Sequence, residues 1–129
     1  MDKEKLKKIL SDHKEWLLSN GQSKEKADLS DADLSDADLS DADLMRADLR
    51  EANLRRAVGN KLQIKSMQIE IYSIAYTVKF LQIGCQQHSF EKWKNFDDVV
   101  IKKMDSQALD FWKKWKDWIF KLIEMSPAE

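Results

Sequence analysis

Cysteine is nearly absent: Cys85 is the only one in 129 residues. No disulfide can close within the chain, and nothing points to an oxidising compartment. No apolar run approaches the length of a membrane span, and the opening MDKEKLKK is charged where a signal peptide would be apolar. A cytoplasmic protein with no membrane partner is the expectation. There are only two histidines, and Cys85 with His88 is the only close pair suited to nucleophilic or metal chemistry. A catalytic dyad needs a third group to orient its base, and a zinc site needs about four ligands. The expectation is therefore no catalytic residue, no metal and no cofactor.

Net charge is also small, at −1, so the whole molecule is neither a polyanion nor a polycation. Its distribution is uneven. Residues 1–26 carry seven Lys and five acids, residues 27–44 carry seven Asp and no basic residue, and residues 45–58 carry four Arg against Asp48 and Glu51. The remainder is mildly basic.

The acidic block lies within a repeat. Ala recurs at 27, 32, 37, 42, 47 and 52, Asp or Asn follows each, and Leu stands at 29, 34, 39, 44, 49 and 54. A period of five fits neither an amphipathic helix nor an alternating strand, so it signals a repeat architecture. A disordered acidic linker would not keep Leu at every fifth position. If Ala and Leu share the interior, four units can close one four-sided turn, with turns stacked at the ~4.8 Å inter-strand spacing. Leu34, Leu39, Leu44 and Leu49 are then interior.

Over residues 27–56 this pattern resembles the pentapeptide-repeat family. The resemblance implies a right-handed quadrilateral β-helix, and the fold class expected is mainly β with α caps. Residues 1–20 form a capping helix, 21–60 the short β-helix and 61–129 a small α+β module. The preceding HKEWLLSNGQ looks like the leader of such proteins. The C-terminal run from IKSMQIEIYSIAYTVKF to ALDFWKKWKDWIFKLIEMSPAE is similar to a module that follows pentapeptide repeats in phage and prophage proteins.

The flanks have ordinary signals. Leu6, Ile9, Leu10, His13, Trp16 and Leu17 make one apolar stripe, with Asp2 as cap and Asn20-Gly21 as stop. His13, on that stripe, is read as a packed structural histidine. A solenoid end exposes apolar side chains and unpaired backbone, so the helix is expected to cover it. The frame breaks at Ala57-Val58-Gly59-Asn60. Beyond it, alternation over 61–67 and 68–73 and a β-rich stretch over 76–83 predict two or three strands ended by Gly84. Ser89, Asp97 or Asp98, and Ser106 are expected to cap three helices. Ala108, Phe111, Trp112, Trp115, Ile119, Leu122 and Ile123 form the core stripe of the last one. Trp118 falls at its edge, and with Lys114 and Lys121 makes a secondary candidate interface.

The aspartates are the primary candidate site. Asp28, Asp33, Asp38 and Asp43 precede the inward Leu, and Asp31, Asp36 and Asp41 stand two residues after it. On a four-sided coil they form a ring of like charges, with no basic residue inside the block to relieve the repulsion. Spaced carboxylates can stand where a target expects phosphates. Together with the resemblance, this implies a non-enzymatic, anti-CRISPR-like phage inhibitor acting in the host-cell cytoplasm. Its partner would be a host nucleic-acid-binding protein or CRISPR effector, with no direct binding of nucleic acid. Six units are short beside the gyrase-binding rods of the family, so gyrase is not the expected target. The alternative is a structural module forming a homodimer or larger assembly, helped by an exposed final coil at Arg46 to Arg56 that complements the acidic one.

Overall fold

A computed structural model describes residues 1–129. The first element is helix α1 (Lys3–Leu18). Asp2 accepts the Glu4 N–H at its start. At its end Asn20 takes a left-handed φ of 54°, the Gly21 N–H bonds the Trp16 carbonyl and the Asn20 N–H bonds that of Leu17. This pair of hydrogen bonds is the Schellman closure, with Asn in the left-handed position.

Residues 27–58 form a β-helix-like coil. Asp28 bridges Asp48, Asp33 bridges Asn53 and Asp38 bridges Val58, all in parallel and each twenty residues apart, or four repeat units. Between the bridges run short ladders, such as Leu29 N–H to the Asp48 carbonyl at 2.8 Å and Asp48 N–H to that of Ala27 at 3.0 Å. Each corner is a turn in which the Ala N–H donates to the Leu three residues back, from Ala32 to Leu29 through Ala57 to Leu54. At most corners the third residue has positive φ: Asp31, Asp36, Arg46, Glu51 and Arg56 lie between 58° and 63°. That is type II turn geometry, which ordinarily favours Gly or Asn. Leu29, Leu34, Leu39, Leu44 and Leu54 are at most 1% exposed, as their spacing predicts.

The coil is not closed by its own repeats. At one end Leu6, Ile9 and Leu10 of α1 pack on the Leu core. His13 is fully buried there; Ala27 N–H donates to its Nδ1 at 3.0 Å, and its Nε2 lies 2.8 Å from the Met45 carbonyl. Accepting at Nδ1 and donating at Nε2 fixes one tautomer and makes it structural. At the other end Ile64, Ala75 and Phe80 join the same core. Gly59 occupies the position where the frame would put Leu, because a Cβ there would stand 2.3 Å from the Ile64 carbonyl oxygen.

The C-terminal part is an antiparallel sheet in the order β1 (Lys65–Ile69), β2 (Tyr72–Tyr76), β3 (Phe80–Ile83) and β4 (Gln86–Ser89). Helices α2 (Phe90–Asn95), α3 (Asp98–Lys102) and α4 (Ala108–Met125) cover one face. A second core forms between them, from Tyr76, Leu81, Trp93, Ile101, Trp112 and Ile119 among others.

Several expectations need correction. There are four strands, and the stretch 76–83 is interrupted at 77–79, where the Thr77 side chain accepts the Lys79 and Phe80 N–H groups. Gly84 does not end the sheet. With φ of 57° it makes the tight turn into β4, a strand too polar (QQHS) to register as one by composition. Ser89 and Asp97 do cap α2 and α3, but Ser106 does not cap α4. Asp105 instead accepts the Gln107 N–H at 2.8 Å and the Tyr72 hydroxyl at 2.6 Å.

Candidate partner-binding surface

The repeating Asp residues divide into two kinds by what the backbone asks of them. Those before each Leu bend back on the following corner: Asp28, Asp33 and Asp38 accept both the N–H and the hydroxyl of Ser30, Ser35 and Ser40 at a single oxygen, Oδ1. Asp43 accepts the Met45 N–H in the same way, and Asn53 shows that an amide serves equally, accepting the Arg55 N–H at 3.1 Å. The serine hydroxyl, then the backbone N–H, holds the carboxyls of Asp28, Asp33 and Asp38 below their ordinary range. They are charged fold elements with one oxygen, Oδ2, free.

Asp31, Asp36 and Asp41 sit at corners and point to solvent. Here the expectation of an unrelieved ring needs correction at one position, Asp36. The twenty-residue stacking places Arg56 over Asp36, where the guanidinium makes two bonds at 2.7 and 3.0 Å. Arg50 clamps Asp48 at 2.7 and 2.9 Å on the side stacked over Asp28, and this holds the Asp48 carboxyl low, at about 2. Placing each residue on the one twenty positions later would have revealed the pattern: Asp36 on Arg56 and Asp41 on Lys61, but Asp31 on Glu51 and Lys26 on Arg46. The turn with four Arg against Asp48 and Glu51 lies about one strand spacing from the acidic one, within a Debye length, so it offsets part of the charge of the seven Asp and leaves the ring net acidic. The carboxylates left without an ion pair are those of Asp28, Asp31, Asp33, Asp38, Asp41 and Asp43.

The final coil at Arg46 to Arg56 is not exposed for head-to-tail contact, a second correction. Side-chain amides complete the bonds that a third turn would have made. Leu54 N–H donates to Gln82 Oε1 at 2.8 Å, Gln87 donates to the Ala52 carbonyl, and Asn60 Nδ2 donates to the Ala42 carbonyl at 3.1 Å. Gln82 is 3% exposed and also bonds Asn53 and Gly84. No periodicity announces such residues, because each acts only once.

The secondary interface is partly engaged. Trp118 is 47% exposed and meets Trp115 edge-on at 5.6 Å. Lys114, however, is paired with Glu70 at 2.8 Å, and Lys121 has no bonded partner. His88 and Cys85 do not form a pair. His88 bonds Gln86 and packs edge-on against Trp93 and Phe96, with burial and then Lys92 lowering its pKa, while Cys85 is exposed in the β3–β4 turn. No three His, Cys, Asp or Glu side chains are placed to hold a metal ion, and no helix is long and apolar enough to cross a membrane.

No curated protein and no solved structure matches this chain. The family comparison does match: residues 26–58 fit the model of pentapeptide repeats in eight copies, so the coil is a run of pentapeptide repeats.

Proposed function

We propose that the chain is a non-enzymatic binding protein that presents fixed carboxylates to a basic nucleic-acid-binding partner. The coil is read as the family's right-handed quadrilateral β-helix, a rigid scaffold for that display. The observation that carries the proposal is the state of Asp31, Asp38, Asp41 and Asp43. Asp38, Asp41 and Asp43 follow one another along the third side, the corner after it and the fourth side of the first turn, while Asp31 stands at the first corner; none is in an ion pair, and Asp38 and Asp43 are pinned through one oxygen. Fixed, ionised groups with a free oxygen lose little on meeting Lys or Arg, because their geometry is set beforehand. The display centres on the edge at Asp41, since Arg56 pairs with Asp36 on the preceding corner and Arg50 with Asp48 over the first side.

The phage-type setting rests on the resemblance of the leader and of the Trp-rich C-terminal module. In that setting the partner is a host DNA- or RNA-binding defence protein such as a CRISPR effector, met in the host cytoplasm. The test is affinity capture from a bacterial lysate with and without competing DNA, using the native chain and a variant with Asp31, Asp38, Asp41 and Asp43 all changed to Asn. Asn keeps the turn acceptor, as Asn53 does, so the fold is retained. The expected result is a basic nucleic-acid-binding protein displaced by DNA and by salt, with binding to the variant at least about tenfold weaker. Full affinity of the variant at physiological salt would overturn the proposal.

A further inference from the structure

The coil's second turn stops after three sides, and the unroofed fourth side opens a cleft of 460 Å³ against the sheet. The volume suits a small organic ligand. Its floor is apolar, with Leu44, Ala47 and Leu49 from the coil and Phe80 from β3. Lys26, Arg46 and Lys79 stand around it, none of them in an ion pair, and Arg50 lines it while bound to Asp48. Glu129 is the one other acid in the lining.

Two largely buried polar side chains line the same cleft with donors open to it. Gln63 is 8% exposed; its Oε1 accepts from Asn60 at 2.7 Å, and its Nε2 has no hydrogen-bond partner in the protein. Thr77 is 5% exposed; its Oγ1 accepts two backbone N–H groups, and its hydroxyl proton has no acceptor. The Gln63 amide and the Thr77 hydroxyl, with three cations outside any ion pair, face one space whose only carboxylates are Asp48, already held by Arg50, and Glu129. An anion supplies what is missing, and a phosphate offers enough oxygens to meet several donors together.

We propose that this cleft binds a small phosphate-bearing ligand, with Gln63 and Thr77 donating from the buried wall, Lys26, Arg46 and Lys79 balancing the charge, and the Leu49–Phe80 floor taking an apolar or planar group. The site is independent of the acidic edge and of the function proposed for it.

The test titrates the full chain at low salt with AMP, inorganic phosphate and adenosine, followed by calorimetry and by the side-chain amide resonance of Gln63. AMP is expected to bind with a Kd below about 1 mM and to shift that resonance, and adenosine to do neither. The double variant Arg46→Gln, Lys79→Gln changes only exposed side chains, and binding should fall at least about tenfold. AMP binding more tightly than phosphate supports a ligand that uses the floor, and equal affinity supports free phosphate at the same donors. Absence of binding by both, equal binding of adenosine, or an unchanged double variant would overturn the site. Changing the four aspartates leaves this titration unaffected, so failure here and failure of the acidic edge are separable.

Discussion

The coil and the C-terminal module solve the burial problem in opposite ways. The coil uses one small vocabulary, Ala and Leu inside and Asp, Ser and Arg outside, and gains its order from ladders between residues twenty apart. The module uses no repeat at all. Its core is a set of unlike aromatics, with Trp93 against Trp112 at 5.0 Å and Tyr72 edge-on to Phe111 at 4.6 Å, placed by an antiparallel sheet whose strands are sequence neighbours. A repeat specifies its interior efficiently and says nothing about how to stop. The unique residues His13, Asn60, Gln82 and Gln87 do the stopping, and all four lie outside residues 27–58 of the coil.

The largest break in this comparison comes from removing the stops. A peptide of residues 21–60 should lack cooperative β-type unfolding by circular dichroism, because six units bury too little to offset chain entropy. Cooperative melting of that peptide would show the coil to be self-sufficient. Within the full chain, Leu39→Ala should cost about 2–5 kcal/mol in urea unfolding through lost burial and a cavity. A loss below about 0.5 kcal/mol, the level of ordinary surface changes, would mean that the Leu stack does not carry the coil.

The stops themselves should show intermediate effects. Gln82→Leu leaves the Leu54 N–H without its acceptor, and His13→Phe does the same to Ala27 N–H. Each should cost about 1–3 kcal/mol, the penalty of an unsatisfied buried donor. Hydrogen exchange sharpens the point: protection should fall first at the coil end nearest the substitution.

Acid should separate the two regions more gently. Asp28, Asp33, Asp38 and Asp48 all have carboxyl pKa values lowered by turn or Arg bonds, whereas in the module the resolved case is Glu70, lowered chiefly by Lys114. A carboxyl with a lowered folded pKa contributes stability above the unfolded value of 3.8 and loses it as pH falls through the folded value. Between pH 3.8 and about 2, the range set by Asp48, the coil amides should lose exchange protection before those of the sheet. Simultaneous loss would contradict the assignment. The smallest effect belongs to Trp118→Ser, which should change stability by no more than about 0.5 kcal/mol because nearly half of the residue's surface is already in water.

The sequence by itself determined the coil and its interior. A side chain whose role recurs every five residues leaves a signal that one chain displays several times over, and each buried Leu follows from it. The apolar stripes of α1 and α4, the Asp2, Ser89 and Asp97 caps and the structural place of His13 were also legible, since these depend on contacts along one helix or on burial of one stripe. Only the tertiary structure decided which aspartates are free, because Arg56 reaches Asp36 across twenty residues, and what closes the last turn, because Gln82 and Gln87 arrive from strands whose register no local pattern encodes. The same holds for the cleft beside the unfinished turn. Its donors, Gln63 and Thr77, look like ordinary loop residues until the fold brings them, largely buried, to the wall of one cleft.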